Sequence, residues 1–399
     1  MIPIERQLEI ISRGVTGIIE EGELRRKLAR GIPLRVKLGV DPTAADLHLG
    51  FTVILRKLRQ FQELGHQAVL IIGSYTAQVG DPSGRDKTRP RISEESVLAN
   101  AETYLQQAGK ILDLEKLEVR YNGEWFSRMS FMEVIRLLAQ TTVARTLERE
   151  DFSTRHQEGT PIYLHEMVYP LMQGYDSVAV RADIELGGTD QTFNLMVGRD
   201  LQRSEDQEPQ VSITMPLLEG LDGVRKMSKS YGNYVGISEA PEEMFGKLMS
   251  VSDTLMWKYY ELLTDIPIVE LGDMKNGVSS GALHPMAVKK QLAREIITFY
   301  HGAEAAKAAQ EEFEQVFSQR ELPSDMPEYR LQQAEAVLDL PALLTDAGVV
   351  ASKSEVRRII QQGGVSIDGE KVSDVTLPVP ARETFVIKVG KRKFLKVVK

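Results

Sequence analysis

The sequence predicts an α/β protein in three parts: a parallel sheet covered by helices, then a helical domain, then a small α+β domain. Three observations carry this. Residues 36–40 and 68–72 are short apolar runs on either side of a helix-spaced stretch, the pattern of a βαβ unit with a buried parallel sheet. Residues 241–331 are Ala-rich and mostly helical in spacing. From Pro341 to the last residue there are eleven basic and six acidic residues, a net +5, which leaves −13 on the preceding 340.

Composition narrows the classes. At about 150 residues per domain, 399 residues suggest two or three domains. Cysteine is absent, which excludes disulfides and thiolate metal sites and fits a reducing compartment. No apolar run approaches the roughly 18 residues a membrane helix needs, and the acidic N-terminus does not resemble a signal peptide. No membrane association and cytoplasmic residence are therefore expected. The charge split is not that of a generic polyanion binder. It suggests an acidic body with one task and a basic tail that approaches nucleic acid.

In chain order, the first thirty-odd residues read as helical and polar. Residues 36–40 form a strand closed by Asp41-Pro42-Thr43. Residues 49–64 show helical spacing through Val53, Ile54, Leu58, Phe61 and Leu64, with Gly65 at the C-cap position. A second strand, 68–72, leads into the loop 73–90. Helices are predicted over about 94–109 and 130–149, a strand over 178–186 ended by Gly187-Gly188, and a loop over 218–231. In the helical part, 286–299 and 303–317 are the clearest helices, and the Pro-containing stretch 318–328 is the expected linker. In the tail, Ser352-Lys353-Ser354-Glu355 is a capping box. Val356, Ile359 and Ile360 then share one face, with Lys353, Arg357 and Arg358 off it. Val365 and Ile367 alternate toward the hairpin signal Asp368-Gly369. Phe385, Ile387 and Val389 alternate again before Lys391-Arg392-Lys393. A basic-faced helix on a small sheet suits an RNA backbone.

Open parallel sheets bind ligands beyond the carboxyl ends of their strands. Neither GxxxxGK[ST] nor GxGxxG occurs, so the two familiar phosphate loops are missing. The first strand instead offers Asp41, Thr43 and His48-Leu49-Gly50 at a helix start, where backbone amides, a hydroxyl and an imidazole suit a polyphosphate. Gly50 leaves room for a nucleotide against the backbone. The second strand is followed by Gly80-Asp81-Pro82-Ser83-Gly84 and then Arg85, Lys87 and Arg89, cations suited to phosphate. Lys226-Met227-Ser228-Lys229-Ser230 places two lysines three apart on a glycine-flanked segment, a source of charge for a transferring phosphoryl group. Tyr169, Gln173 and Asp176, spaced four and three, put polar groups on one helical face. Gly188-Thr189-Asp190-Gln191 adds a carboxylate and an amide at a strand end. Taken singly, each is also an ordinary turn, surface cation or structural polar network; together they fit those readings poorly.

His48-Leu49-Gly50 and Lys226-Met227-Ser228-Lys229-Ser230 resemble the two signatures of class I aminoacyl-tRNA synthetases. Asp41-Pro42-Thr43, Gly80-Asp81-Pro82-Ser83-Gly84, Tyr169, Gln173, Asp176 and Gly188-Thr189-Asp190-Gln191 narrow the resemblance to the bacterial tyrosyl-tRNA synthetase family. The tail from about Leu343 resembles the S4-like RNA-binding domain of that family. The resemblance implies a Rossmann-like catalytic domain over 1–234, an α-helical domain of the anticodon-binding type over 235–330 and an S4-like domain over 341–399. It implies activation of tyrosine by ATP to tyrosyl-adenylate, then transfer to the 3′ end of tRNA(Tyr), with Mg2+, in a homodimer.

Site roles carried over from the resemblance are as follows. Asp176 accepts the phenol hydroxyl; Asp81, Tyr169 and Gln173 hold the ammonium and Gln191 the carboxylate. Asp190 binds ribose, and Asp41 helps position the substrate. Thr43, His48, Arg85, Arg89, Lys226 and Lys229 contact the phosphates, with Gly50, Met227 and Ser228 lining the ATP subsite. Lys353, Arg357, Arg358, Lys391, Arg392 and Lys393 face RNA, and no protein metal site is expected. Selecting tyrosine over phenylalanine then rests on a buried hydroxyl partner, which gives about 10⁴–10⁵ without editing. Four positions depart from the pattern: Phe51 replaces the second signature histidine, Lys37 stands where many relatives place a tyrosine near the substrate hydroxyl, and Ser74 and Ala77 stand where an Asp and a Gly are common in the minority branch that also departs at 37. Two rivals follow, activation of tryptophan and an impaired relative that only binds RNA.

Overall fold

The structure is a computed structural model, and it describes residues 2–42, 46–82, 92–318, 326–331, 337–380, 382–390 and 393–399, without the side chains of 316–318. The chain divides into two compact units, Met1–Ala306 and Lys307–Lys399.

The first unit is built on a six-stranded sheet. Its strands are β1 (Gly17–Ile19), β2 (Arg35–Val40), β3 (Gln67–Ile72), β4 (Glu118–Tyr121), β5 (Ile184–Gly188) and β6 (Val211–Met215), in the order β1-β6-β5-β2-β3-β4. All pairs from β6 to β4 are parallel, and β1 closes one edge antiparallel to β6. Register matches Val36 with Ala68 and Val40 with Ile72, and on the other side Leu38 with Leu186. The central strands are largely buried because helices cover both faces of a parallel sheet, and Lys37 on β2 and Glu185 on β5 are charged exceptions in an otherwise mostly apolar lining. Order reverses at β2, since β3 and β4 lie on one side and β5 and β6 on the other. Loops beyond β2 and β5 therefore diverge and leave a crevice between them.

The helix Leu49–Glu63 packs Leu49, Val53, Leu58 and Phe61 into the core, each at most 3% exposed. Burying each such side chain contributes about 1.5–3 kcal/mol. Gly65, at φ 88°, ends it as the sequence predicts, with His66 N donating to Phe61 O at 3.0 Å. The helix Leu164–Val180 lies close along Thr192–Ser204. A Cβ on Gly174 would meet Leu201 Cδ1 at 2.9 Å and Gly198 N at 3.1 Å, so the close approach of the two helices depends on glycine there.

Several sequence expectations need correction. The stretch 178–186 is not one strand: Val178–Val180 finish the helix from Leu164, Arg181 caps it in the left-handed region, and β5 begins at Ile184. Val-Ala-Val has the composition of a strand, but the preceding helix and the cap decide. The helix expected over 130–149 is interrupted, as Phe131–Leu138 ends and Thr142 caps a new turn, Val143–Thr146, by accepting from Arg145 N. The N-terminal region carries β1 between its two helices; three residues, Gly-Ile-Ile, are too few for a periodic signal. The loop after β3 contains the short helix Thr76–Val79.

Helices Pro241–Met249, Leu255–Leu263, Ile268–Ser279 and Pro285–His301 complete the first unit, and Ala303–Ser318 runs into the second. The second unit has β7 (Glu328–Arg330), β8 (Val337–Asp339), β9 (Val365–Ile367), β10 (Glu370–Lys371), β11 (Thr376–Pro378), β12 (Thr384–Val389) and β13 (Lys393–Val398). Five of them form the sheet β10-β9-β12-β13-β7, and β11 pairs with β8. The hairpin turn is Asp368-Gly369, both at positive φ. Val356, Ile360, Phe385, Ile387, Val389, Leu395 and Val397 make the core. Ser352 Oγ accepts from Glu355 N at 3.3 Å, which is the serine half of the capping box; the reciprocal glutamate bond does not form. Lys353, Arg357 and Arg358 lie exposed on one helix, as predicted. Lys393 is exposed, though its ammonium donates to Val349 O. Lys391 and Arg392 lie outside the described residues.

Candidate active site

The crevice at the carboxyl ends of β2, β3 and β5 has a volume of about 420 Å3. It brings together Asp41, His48, Gly50, Asp81, Tyr169, Gln173, Asp176, Asp190, Gln191 and Lys226 to Lys229, which the sequence scatters over nearly 190 residues. Thr43, Arg85 and Arg89 lie outside the described residues.

One end is dry and already hydrogen-bonded. Asp176, 3% exposed, accepts from Trp125 Nε1 at 3.0 Å and from Asn122 Nδ2 at 3.3 Å. Burial pushes its carboxyl up to about 7, opposed by the nearby Lys37 ammonium and by the two bonds it accepts. Asn122 also donates to Thr76 Oγ1 at 3.0 Å; Thr76 donates to Asp41 Oδ1 at 2.7 Å, and Tyr169 Oη donates to Asp41 Oδ2 at 2.9 Å. The carrier helix is held at its start, where Arg155 pairs with Glu166 at 2.8 Å. Next to it Gln191 Nε2 donates to Asp81 Oδ2 at 2.8 Å, and Arg149 lies 3.7 Å from Asp81 Oδ1.

The other end is cationic and wetter. Lys226 lies 3.3 Å from Asp190 and Lys229 2.7 Å from Asp46, with side chains 38% and 29% exposed. His48 precedes the helix start, and its Nδ1 is buried with no hydrogen-bond partner among the described residues. Burial, and behind it the Lys229 charge, hold this imidazole down to about 4, so at pH 7 it offers a neutral ring rather than a cation. Gly50 N approaches Met227 Sδ at 3.2 Å, and a Cβ there would meet Met227 Cβ at 3.0 Å and His48 Nδ1 at 3.1 Å. The loop with the two lysines is pinned by Met227 N donating to Leu218 O and Ser228 N to Asn233 Oδ1. Phe51, in the place of the second signature histidine, packs edge-on against Tyr104 with ring centres 5.3 Å apart.

Sequence reasoning missed Asn122, Trp125, Thr76 and Asn194. Asn122 and Trp125 follow β4, whose Glu-Val-Arg-Tyr composition hides a strand; Asn122-Gly123 just after a strand is the signal that was there to use. Among the described residues no three His, Asp or Glu side chains cluster as a metal site. The carboxylates of the crevice are engaged with lysines, amides, hydroxyls and the Trp125 indole, so the described residues present Mg2+ with no ready donor set.

A crevice with a buried hydroxyl acceptor at one end and two lysines and a helix start at the other, on a parallel sheet, is built to join a small polar molecule to a nucleotide. The family described as "tRNA synthetases class I (W and Y)" matches residues 30–318, and "Tyrosine--tRNA ligase SYY-like C-terminal domain" matches 316–397. That sets the class. The tyrosine–tRNA ligase of Moorella thermoacetica is 55% identical over 99% of this chain and 96% of its own, and that of Carboxydothermus hydrogenoformans is 54% identical over 99% and 98%. The mitochondrial tyrosyl-tRNA synthetase of Aspergillus nidulans, C-terminally truncated, superposes with a TM-score of 0.65 at 20% identity, over 79% of this chain and 94% of that one. The Archaeoglobus fulgidus tyrosyl-tRNA synthetase, solved with L-tyrosine, gives 0.63 at 22% identity over 77% and 100%. The chain belongs to the tyrosyl-tRNA synthetases, within class I of the aminoacyl-tRNA synthetases.

Proposed function

We propose that this crevice carries out tyrosine activation as the first half of the tyrosine–tRNA ligase reaction, with the dry end holding the phenol and the lysine end holding ATP. The tyrosine carboxylate, ionised at pH 7, attacks the α-phosphorus of ATP, giving tyrosyl-adenylate and pyrophosphate; a ribose hydroxyl of the 3′-terminal adenosine of tRNA(Tyr) then takes the tyrosyl group, and AMP leaves as the acyl–phosphate bond breaks. No general base is needed for the first step, and catalysis is positioning plus charge neutralisation.

Asp176 accepts the phenol proton in a hydrogen bond. Asp81, Tyr169 and Gln173 take the ammonium, Gln191 the carboxylate, and Asp41 orients Tyr169. Asp190 takes the ribose. Lys226 and Lys229 leave Asp190 and Asp46 for the phosphates as charge develops, while His48 Nδ1 gains the partner it lacks. Thr43, Arg85 and Arg89 extend the phosphate contacts. Mg2+ would enter with the triphosphate rather than on a protein cage and would supply charge neutralisation there. The observation that carries the reading is Asp176: a buried carboxylate held by two donors at the closed end of the crevice. A hydroxyl restores what burial costs it, and a phenyl ring does not.

The second unit, S4-like in this reading, meets tRNA(Tyr) through Lys353, Arg357, Arg358 and Lys393, together with Lys391 and Arg392. Helices Phe131–Leu138 and Leu164–Val180 touch, and Phe131, Met132, Tyr163 and Leu164 on or beside them are exposed. That apolar face suits the partner subunit of a homodimer. The proposed site of action is the cytoplasm, where tRNA(Tyr) and ATP are available to it. Exchange of labelled pyrophosphate into ATP tests the reading. It is expected with tyrosine and not with tryptophan; folded protein that exchanges with neither contradicts it.

A further inference from the structure

Behind the ammonium subsite lies a buried ion pair that the reaction described above does not use. Lys37 on β2 and Glu185 on β5 are both 0% exposed and meet at 2.8 Å. Lys37 Nζ also donates to Gln173 O and Ser177 Oγ, both at 2.8 Å. Glu185 Oε1 accepts from Gln173 Nε2 at 3.2 Å, while Oε2 accepts from Ser177 Oγ at 2.9 Å and from Gln210 Nε2. Lys37 thus stands where a tyrosine is common, yet it is not among the residues that line the crevice.

The polarity of these bonds is what makes the pair informative. A carboxylate accepts only and a guanidinium donates only. Arg149 Nη1 donates to Asn194 Oδ1 at 3.2 Å, so Asn194 must turn its amide nitrogen the other way, and that nitrogen donates to Gln173 Oε1 at 2.9 Å. At the far end Glu185 takes the Gln173 nitrogen. Gln173 is held between an obligate donor and an obligate acceptor and has one orientation open to it. Its oxygen is the atom kept toward Asn194, and an ammonium ion requires an oxygen, never an NH2.

We propose that Lys37 and Glu185 are positioning residues for tyrosine recognition: the pair fixes the Gln173 amide with Oε1 available to the substrate ammonium and ties the helix segment Gln173 to Ser177 to β2 and β5. This rests on Gln173 facing the ammonium, as read above. Neither residue touches substrate. The arrangement explains why a lysine is accommodated at 37, since only a cation balances a carboxylate in that dry layer.

The test uses two inhibitors of tyrosine-dependent pyrophosphate exchange that differ only in the ammonium group, tyramine and 4-ethylphenol. In the wild-type enzyme tyramine binds more tightly than 4-ethylphenol. In Glu185→Gln, whose amide can donate as well as accept, the ratio of the two inhibition constants falls at least about tenfold, the scale of a charged hydrogen bond. The 4-ethylphenol constant and the KM for ATP hold within about twofold. Because Glu185→Gln leaves Lys37 buried beside a neutral group, Lys37→Met/Glu185→Gln is measured beside it; it removes both charges at nearly constant volume and loses the same ratio. A folded double variant that keeps the wild-type ratio, or in which both inhibitors weaken together, overturns the proposal. A wild-type enzyme that binds the two inhibitors equally overturns the ammonium reading beneath it instead.

Discussion

The two ends of the crevice solve opposite problems with the same residue types. At the buried end the carboxylates are held by protein donors in the free enzyme: Asp176 has Trp125 and Asn122, Asp41 has Thr76 and Tyr169, and Glu185 is paired with Lys37 behind them. At the end proposed for the nucleotide Lys226 and Lys229 sit partly exposed on carboxylates, and His48 Nδ1 has no partner among the described residues. The difference fits what each end is proposed to bind. A hydroxyl is told from a hydrogen atom only by a fixed, desolvated acceptor left unpaired by the wrong substrate. A triphosphate brings charge of its own and sheds part of it during reaction, so cations that move onto it serve better than cations locked in place.

Four perturbations sharpen this contrast. The largest expected effect is on selection: Asp176→Ala lowers the tyrosine-over-phenylalanine preference in pyrophosphate exchange by about 10³-fold, with the KM for ATP little changed. Next, Lys229→Ala slows adenylate formation by about 10²-fold in single-turnover measurements, with tyrosine affinity nearly intact; an equal loss in tyrosine affinity would place this lysine at the wrong end.

Third comes pH. Asp176 is pushed up to about 7 by burial, so it takes up a proton as pH falls through that value. Then kcat/KM for tyrosine declines below about pH 7, by up to tenfold per unit, and Asp176→Asn abolishes the inflection. His48, held near 4, adds none in this range. The linked stability change has the sign of a raised carboxyl pKa. The contribution is fully present below the unfolded value near 3.8 and is lost as pH rises through about 7, so thermal unfolding of the free enzyme at pH 5 and pH 8 reports it. The smallest effect is steric: Gly50→Ala raises the KM for ATP a few-fold, because its Cβ would meet Met227 and His48 at about 3 Å, with tyrosine binding unchanged.

The contrast also governs what the sequence revealed. The lysine loop, the helix start at His48 and the strands 36–40 and 68–72 were legible because each is a local pattern: a spacing, a cap or an apolar run. Tyr169, Gln173 and Asp176 were legible as three polar residues on one helical face. Their supporting layer was not. Asn122 and Trp125 follow a strand interrupted by Glu118 and Arg120, and Glu185 looks like an interruption in an apolar run until Lys37 is seen beside it. Pairing across parallel strands separated by nearly 150 residues leaves no periodic trace in either strand. Val178–Val180 shows the converse case, where β-branched composition suggested a strand and the helix before it prevailed.

The central claim is that the buried end reads a hydroxyl. It is tested most directly by measuring kcat/KM in pyrophosphate exchange for tyrosine and phenylalanine side by side on the wild-type enzyme. A ratio of about 10⁴ or more is the result predicted. A ratio below about 10² would mean that Asp176 does not discriminate, and would contradict the account.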